Sequence, residues 1–220
     1  HAIDRQVINE SLYFGDCEPT SQVFRAPLPA HVPGYDPFPY DPDRARALLA
    51  EAGLPDGFEL TITTVTGNPT SEQNAAVVQQ MLGEVGVDVR LSPMSSPEGS
   101  AAFNRNELEA RSTVVSNRAD SLGTLDFHFM PGGAGHMAEQ AGDELSGLRD
   151  RLGQADDTEG QSQILQEMGR LVSDGAFTIP ICFMNIQWAS TTRVEGLDEM
   201  YYTAFGSGLD IRGLAMTTED

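Results

Sequence analysis

The chain has 220 residues, of which 33 are acidic and 13 are arginine, and it contains no lysine, so its formal net charge is −20. A surface this acidic excludes nucleic acid as a partner, because contacts with phosphates require clustered Lys or Arg, and it disfavours an anionic membrane face. The proportions of hydrophobic (40%) and charged (21%) residues are those of a folded globular protein, and no run approaches the roughly 18 apolar residues of a membrane-spanning helix.

The chain opens on a predicted helix over residues 2–12, with Ile3, Val7 and Ile8 on one face. The pattern begins without an N-cap or the features of a secretory signal, so we expect the chain to be a piece of a longer protein. Residues 14–40 follow as an irregular strap, because their prolines exclude a helix. The aromatic residues of the strap favour a segment that packs onto a surface.

A second helix is predicted to begin at Asp41 and Pro42, as N-cap and first helical residue, and to end at Gly53. Its expected apolar stripe consists of Ala45, Leu48, Leu49 and Ala52. Apolar and polar residues then alternate over 58–63, which predicts a strand with one face towards water.

The next segment predicts a strand–helix–strand unit. Thr70 and Gln73 form a candidate capping box at the start of a helix that ends at Gly86. Residues 87–92 alternate again and predict a second strand. Two strands joined through a helix pair in parallel with a right-handed crossover, so we expect a parallel pair here.

The second half of the chain alternates in the same way. It predicts a short helix over 97–110, a short strand over 113–115, helices over 143–153 and 158–174, and a strand over 178–184. A proline in the last strand favours an edge position. The predicted fold class is therefore α/β, with a mixed β-sheet flanked by helices.

The two cysteines, Cys17 and Cys182, are interpreted as free thiols, because a sequence does not show whether two cysteines lie close together. A disulfide between them stays the alternative. The chain has no CxxC or HExxH pattern, which argues against a structural zinc site.

The histidines and glycines near residue 130 offer the only pattern suggestive of catalysis or metal binding. His128 and His136, with Asp126 and Glu139 nearby, match no known metal-ligand spacing, so we predict no metal. The glycine-rich run 131–136 lacks the spacing of a phosphate-binding loop and is interpreted as a surface loop. These two histidines are the sole support for an alternative in which the protein is an α/β hydrolase or lyase.

Asp120 is the candidate ligand-binding residue. It follows the apolar end of a predicted strand, beside Asn117 and Arg118, and ligand sites in open α/β sheets lie beyond such strand ends. A carboxylate there can accept hydrogen bonds from a ligand ammonium. Taken alone, the residues favour the alternative that Asp120 caps a turn or pairs with Arg118.

Short motifs run through the chain in a characteristic order. They are Ala2–Gln6, Pro33–Pro37, Tyr40–Ala45, Leu48–Gly53, Gly57–Thr61, Val78–Leu82, Gly86–Val89 and Ala176–Pro180. Together they resemble the family 5 extracellular solute-binding proteins, the dipeptide- and oligopeptide-binding components of ABC importers. The resemblance covers almost the whole chain, and its specificity comes from the order of the motifs.

The resemblance implies that residues 1–220 are a single C-terminal ligand-binding lobe, the second lobe of a type II periplasmic-binding-protein-like fold. The strap over 14–40 belongs to it, and an irregular tail over 205–220 leads back towards a first lobe outside this chain. It further implies capture of a peptide by lobe closure without catalysis, cofactor or metal, and membrane permease subunits as partners. The expected location is extracytoplasmic, either periplasmic or lipid-anchored, and the isolated lobe is expected to be monomeric.

Peptide binders of this family often carry Trp-x-Ala-Asp after a strand, and their Asp receives the peptide α-amino group. The matching residues here are Asn117, Arg118, Ala119 and Asp120, so the resemblance assigns Asp120 that role, with Ser116, Asn117 and Arg118 beside it. Asn117 replaces the aromatic residue, and Ser121–Thr124 replaces the Asp-Pro that usually follows. Because relatives also carry sugars and nickel complexes, a non-peptide solute stays an alternative, as does a sensor or adhesion role without cargo transfer.

Overall fold

The computed structural model of the chain describes residues 1–118, 120–133, 135, 141–185, 189–197 and 213–217. The chain divides into two compact units. Unit 1 consists of residues 1–23, 34–115 and 178–184, and unit 2 of residues 24–33, 116–177 and 185–220. Each unit therefore combines segments that are distant in sequence.

The described residues form alternating helices and short strands. The helices are α1 (Arg5–Tyr13), α2 (Pro42–Glu51), α3 (Pro69–Gly83), α4 (Ser96–Asn104), α5 (Ser121–His128), α6 (Gly142–Gln154) and α7 (Thr158–Asp174). The strands are β1 (Cys17–Pro19), β2 (Glu59–Val65), β3 (Asp88–Met94), β4 (Ala110–Arg111), β5 (Cys182–Met184), β6 (Val194–Glu195) and β7 (Ala215–Met216). The α/β class is confirmed, with the parallel and antiparallel pairings in separate sheets. None of the helices in the described part of the chain is both long and apolar enough to span a membrane.

The predicted strand–helix–strand unit of unit 1 is confirmed. Strands β2 and β3 pair in parallel from Glu59 opposite Asp88 to Val65 opposite Met94, and α3 connects them. The two-residue strand β4 adds to the other edge of β2, also in parallel, which gives the strand order β3-β2-β4. The strand predicted over 113–115 is wrong, because the pairing with β2 ends at Arg111.

Helix α3 begins differently from the prediction. Asn68 is its N-cap and accepts a hydrogen bond from the Ser71 backbone N–H at 3.0 Å, whereas Thr70 lies inside the first turn. Pro69 explains the difference, since its fixed φ and missing N–H suit the first helical position and place the cap one residue earlier. The candidate capping box of Thr70 and Gln73 is therefore wrong.

The core of unit 1 lies between its parallel sheet and the helices that cover it. Its buried members are Ala2, Ile62, Ala75, Val85, Val87 and Val89. Side chains from α2 pack against this cluster through Ala45 and Leu49, but the predicted stripe residue Leu48 is 37% exposed. The burial of these aliphatic side chains stabilises the parallel sheet.

Two glycines allow the backbone to close tightly where the chain enters β2 and β3. Gly57 has φ +81°, and a Cβ on it would lie 1.7 Å from the carbonyl oxygen of Gly86. Directly beside them, Asp88 donates its backbone N–H to the Phe58 carbonyl at 2.9 Å. A side chain at position 57 is incompatible with this contact.

A disulfide joins Cys17 to Cys182, so the interpretation of two free thiols is wrong. The strands that carry them, β1 and β5, pair antiparallel, and the two Cα atoms are 5.8 Å apart, within the range for a disulfide. The pairing was hidden in the sequence because β1 is a three-residue strand inside the proline-rich strap. The bond links the first and last segments of unit 1.

Unit 2 is mainly helical in its described part. Helices α6 and α7 agree with the predicted helices to within one residue, and α7 begins at an N-cap, Asp157, and ends at Gly175. Helix α5 was not predicted. Strands β6 and β7 form an antiparallel pair. The largest fully buried side chains of this unit include Phe24, Leu125, Leu145, Met168 and Val172.

Candidate ligand-binding site

Asp120 lies at the N-terminus of α5 and serves as its N-cap. Its Oδ1 accepts a hydrogen bond from the Gly123 backbone N–H at 2.6 Å. The side chain is exposed, and its carboxylate forms no further hydrogen bond or ion pair within the described part of the chain. An N-cap of this kind uses one carboxylate oxygen, so Oδ2 is available to an external donor.

Arg118 is half-buried and lies over an aromatic ring of α5. Its guanidinium carbon is 3.8 Å from the centroid of the Phe127 ring, the geometry of a cation–π contact. Among the described residues, Arg118 forms no ion pair with Asp120 or any other carboxylate. The predicted alternative of an Arg118–Asp120 pair is therefore not seen in this part of the structure.

The Thr124 hydroxyl connects the backbones of Arg118 and Asp120. The Arg118 backbone N–H donates to Thr124 Oγ1 at 2.9 Å, and that hydroxyl donates to the Asp120 carbonyl at 3.0 Å. The Thr124 side chain is fully buried. Because a buried hydroxyl that is satisfied on both sides resists rotation, it fixes the backbone that carries Arg118 and Asp120.

His128 anchors the start of the same segment. Its Nε2 donates to the Ser116 carbonyl at 3.2 Å, since a carbonyl oxygen can only accept. Burial lowers the pKa of His128, the Ser116 carbonyl opposes this shift, and the positive charge of Arg118 adds to it. Among the described residues, Nδ1 is buried without a hydrogen-bond partner, which, like the lowered pKa, favours the neutral imidazole.

The remaining predicted site residues lie along this segment. The Ser116 side chain is exposed, and Asn117 is half-buried. The structure thus brings Ser116, Asn117, Arg118 and Asp120 together as one stretch of backbone fastened to α5. Sequence reasoning missed Thr124 and Phe127, and it considered His128 only for metal binding or catalysis, because α5 was not recognised. The Asp-x-x-Gly spacing of an N-cap was the available signal.

Helix α5 itself is well anchored in unit 2. Ser121 and Leu125 are fully buried, and Ser121 Oγ accepts a hydrogen bond from the buried Ala30 backbone N–H at 3.0 Å. Asp126 pairs with Arg149 of α6. The candidate binding residues before α5 therefore adjoin a helix that buried side chains and an ion pair hold in place, as a preorganised binding site requires.

The structure gives no support to the metal and phosphate interpretations. Asp126 is engaged by Arg149, and no group of three metal-ligating side chains occurs among the described residues. His136 and Glu139 lie outside the described residues. In the glycine-rich loop, a Cβ on Gly135 would lie 2.7 Å from the His128 Cα, so this glycine serves close packing against α5.

Comparison with known proteins identifies the family. Residues 1–132 match the family model described as "Bacterial extracellular solute-binding proteins, family 5 Middle". The match covers more than half of the chain, and the chain belongs to this family. The resemblance indicated by the ordered motifs is thereby confirmed. Members of this family are extracellular solute-binding proteins rather than enzymes.

Curated relatives match part of the chain. The glutathione-binding protein GsiB of Salmonella typhimurium is 36% identical over 101 residues, which are 46% of this chain and 20% of that protein. The protein of the same name from Escherichia coli K12 is 33% identical over a stretch of equal length. The matched region is therefore a small share of these relatives.

Solved structures share the fold at low sequence identity. A dipeptide-binding protein from Pseudoalteromonas sp. SM9913 in complex with Met-Leu has a TM-score of 0.80 and 19% identity, and the similarity covers 99% of this chain and 44% of that one. The substrate-binding protein CtaP of Listeria monocytogenes also has a TM-score of 0.80, with 20% identity over 98% of this chain and 45% of that one. The chain spans less than half of these proteins.

Proposed function

We propose that the full-length protein is the peptide-binding component of an ABC importer. The observation that carries this proposal is the family match over residues 1–132. It is supported by the glutathione-binding relatives and by the similarity of fold to a dipeptide-binding protein that holds Met-Leu. The expected partners are a short peptide and the permease subunits of the importer, in an extracytoplasmic location, either periplasmic or lipid-anchored.

The chain is proposed to be the second lobe of a larger two-lobed binding protein, with the strap over 14–40 as part of it and the tail over 205–220 leading back to the first lobe. Its coverage of 37–45% of solved family members supports this reading. A ligand in such a protein is held by enclosure, with no covalent step and no cofactor. The isolated lobe is therefore expected to bind weakly, because half of the enclosure lies outside it, and to be monomeric.

Within this function, Asp120 is proposed to receive the α-ammonium group of the peptide. Its carboxylate is exposed, and one oxygen is already oriented by Gly123, so the other needs little reorganisation to accept a charged donor. A hydrogen bond to a charged group contributes about 1.5–3 kcal/mol, or roughly ten- to hundredfold in affinity. Ser116 and Asn117 are proposed to line the same site.

The test is isothermal titration of the full-length protein with Met-Leu, N-acetyl-Met-Leu and glutathione. The informative variant is Asp120→Asn, because Asn caps a helix about as well as Asp while removing the charge. We expect Met-Leu to lose about ten- to hundredfold in affinity and N-acetyl-Met-Leu to lose little. An equal loss for both ligands would contradict the role of Asp120.

The chain offers a matched control for this variant. Asp157 caps α7 in the same way, with Oδ1 accepting from the Gly160 N–H at 2.6 Å. Asp157→Asn makes the same change of net charge and cap chemistry away from the candidate segment, and it should leave the affinity for Met-Leu unchanged. A loss as large as that of Asp120→Asn would mean that net charge, and not a contact at Asp120, governs binding.

A second candidate function is the same receptor role for a non-peptide solute. The specific observation in its favour is that similar folds include NikA of Brucella suis with Fe(III)-EDTA and AgaA with agropinic acid. Absence of heat with every peptide, together with binding of a metal chelate or an opine, would establish this alternative and exclude peptide import.

A further inference from the structure

His128 is a buried ionisable side chain that takes no part in the proposed function. It is 6% exposed and lies in the last turn of α5. Its Nε2 donates to the Ser116 carbonyl at 3.2 Å, whereas its Nδ1 is buried and has no hydrogen-bond partner in the described part of the chain. Because buried polar atoms are almost always hydrogen-bonded, this nitrogen calls for an explanation.

The surroundings of His128 accommodate a neutral imidazole better than an imidazolium. Its ring makes edge contacts with the rings of Phe127 and Phe129, at centroid distances of 4.8 and 6.1 Å. On the Nδ1 side the backbone packs closely, since a Cβ on Gly135 would lie 3.0 Å from Nδ1. An imidazolium carries an N–H on both nitrogens. Protonation would therefore place a second donor where the described residues offer no acceptor.

The charged groups around His128 also oppose protonation. Arg118 is the charged side chain that acts on it among the described residues, and its guanidinium lies on the ring of Phe127, next to the imidazole. The acid within α5, Asp126, pairs with Arg149, and side chains two positions apart in a helix do not face each other. No carboxylate in the described part of the chain is thus placed to stabilise an imidazolium here.

Protonation of His128 therefore favours a conformation in which the ring reaches water. Because the ring is almost fully covered, it cannot be hydrated in place, and the hydrogen bond from Nε2 to the Ser116 carbonyl is lost when it moves. Of the described hydrogen bonds between residues 116–118 and α5, the one from the Arg118 N–H to Thr124 then remains. The fastened and released arrangements form the two-state element that a histidine-based pH switch requires.

We propose that protonation of His128 releases residues 116–118 from α5 and so lowers the affinity for the peptide, which is held at neutral pH and released in mild acid. The inference rests on the proposed peptide-binding function and names the regulation of that site. His128 lies eight positions after Asp120, about 12 Å along a helix axis. It therefore acts as a positioning residue, through the backbone of Ser116 and Asn117, and not by contact with the ammonium group.

Proton binding and peptide binding are linked through His128. If the peptide requires the neutral imidazole, then the peptide lowers the pKa of His128 just as protonation lowers the affinity. Burial and, more weakly, Arg118 already hold the pKa of His128 below its ordinary value of 6.5. The affinity is therefore complete above pH 6.5 and is lost as the pH falls through the lower pKa of the folded protein, by up to about tenfold per pH unit.

The test is isothermal titration of the full-length protein with Met-Leu at pH 7.5, 6.5 and 5.0, in the wild type and in His128→Gln. The peptide keeps both charges below pH 7, since its α-amino and α-carboxyl groups have ordinary pKa values of about 8 and about 3.5. We expect the wild-type affinity to fall by about three- to tenfold from pH 7.5 to 5.0. His128→Gln, which can still donate to Ser116, should lose clearly less. An equal fall in both proteins overturns the inference.

His31 provides the matched control. It lies in the same unit and is half-buried, and its ring and backbone make hydrogen bonds to the carbonyls of Phe24 and Leu28. His31→Gln removes a histidine that does not hold residues 116–118, so it should keep the pH dependence of the wild type. A pH dependence lost equally in His31→Gln and His128→Gln would refute a specific role of His128.

A second measurement does not depend on any variant. Titrations of the wild type at one pH in two buffers of different ionisation enthalpy give the number of protons released when Met-Leu binds. Because the peptide favours the neutral imidazole, binding should release protons at pH 6.0 and almost none at pH 7.5. Binding at pH 6.0 without proton release overturns the inference, whether or not His128→Gln folds.

These results separate the inference from the function on which it rests. If Met-Leu binds and Asp120→Asn behaves as expected, while the wild type and His128→Gln have the same pH dependence, this inference fails and the proposed function stands. If no peptide binds at any pH, both fail together.

Discussion

The disulfide between Cys17 and Cys182 has a stability contribution that follows from the structure. The bond closes a loop over a sequence separation of 165 residues. In the chain-entropy description, closing a loop of this length removes enough freedom from the unfolded state to stabilise the folded one by about 5 kcal/mol. Since whole domains are stable by about 5–15 kcal/mol, reduction should remove a large share of the total.

The measurement is urea unfolding of the full-length protein, followed by circular dichroism, for the oxidised wild type, the reduced wild type and the double variant Cys17→Ser/Cys182→Ser. We expect the free energy of unfolding to fall by about 3–5 kcal/mol on reduction. The reduced protein and the double variant should have similar unfolding midpoints, and reductant should not affect the variant.

A fall of less than about 1 kcal/mol on reduction would refute this reasoning. It would mean that the unfolded chain is already compact enough to keep the two cysteines close, so that the bond constrains little. A fall in the double variant alone, with no effect of reductant on the wild type, would instead indicate that the serine hydroxyls destabilise the β1–β5 pair.

Two further predictions concern single residues. Because the pKa of His128 is lowered below its ordinary value of 6.5, its contribution to stability is complete above that pH and is lost as the pH falls towards the lower folded-state pKa. The free energy of unfolding should therefore depend less on pH between 7.5 and 5.5 in His128→Gln, which can still donate a hydrogen bond to Ser116. An unchanged pH dependence would contradict the lowered pKa of His128. Gly57→Ala should lower the free energy of unfolding by at least about 2 kcal/mol more than Gly53→Ala. Both positions have positive φ, but only a Cβ at position 57 collides with Gly86. Equal losses of stability in urea unfolding would show that the positive φ alone determines the effect.

Asp120 shows that the family resemblance and the structure give different information about one residue. The residues around Asp120 favoured a turn cap, and the resemblance favoured a ligand contact. The structure shows that the cap is real, because Oδ1 accepts from Gly123, and among the described residues the second oxygen accepts no hydrogen bond. A cap and a ligand contact are compatible in one carboxylate, which is why Asp120→Asn is a more informative variant than Asp120→Ala.

Local patterns were sufficient for the long elements. Asp41 and Pro42 specified the start of α2, and alternation specified the strands β2 and β3, because cap hydrogen bonds and side-chain periodicity involve neighbours in sequence. The helix that connects the two strands then predicted their parallel pairing. Helix α7 was predicted at its observed bounds, Thr158–Asp174, for the same reason. The ordered motifs were likewise enough to indicate the family.

Short elements were not predictable in this way. Helix α5 has eight residues, so a 3.6-residue period repeats only twice and leaves no clear pattern. Strands β1 and β4 have three and two residues and exist because of the partners they pair with. Propensity has little influence on segments whose hydrogen bonds are all made to distant parts of the chain.

Length, composition and charge determined that this is an acidic globular chain, and the order of its motifs indicated the family of extracellular solute-binding proteins to which it belongs. The tertiary structure alone decided that Cys17 and Cys182 are bonded, that Arg118 lies on Phe127, and that His128 fixes Ser116. The physical reason is distance along the chain. A helix cap or a hydrophobic period involves residues that are close in sequence. The disulfide, by contrast, joins residues 165 apart and depends on the pairing of β1 with β5, and the contact of Arg118 with Phe127 depends on the formation of α5.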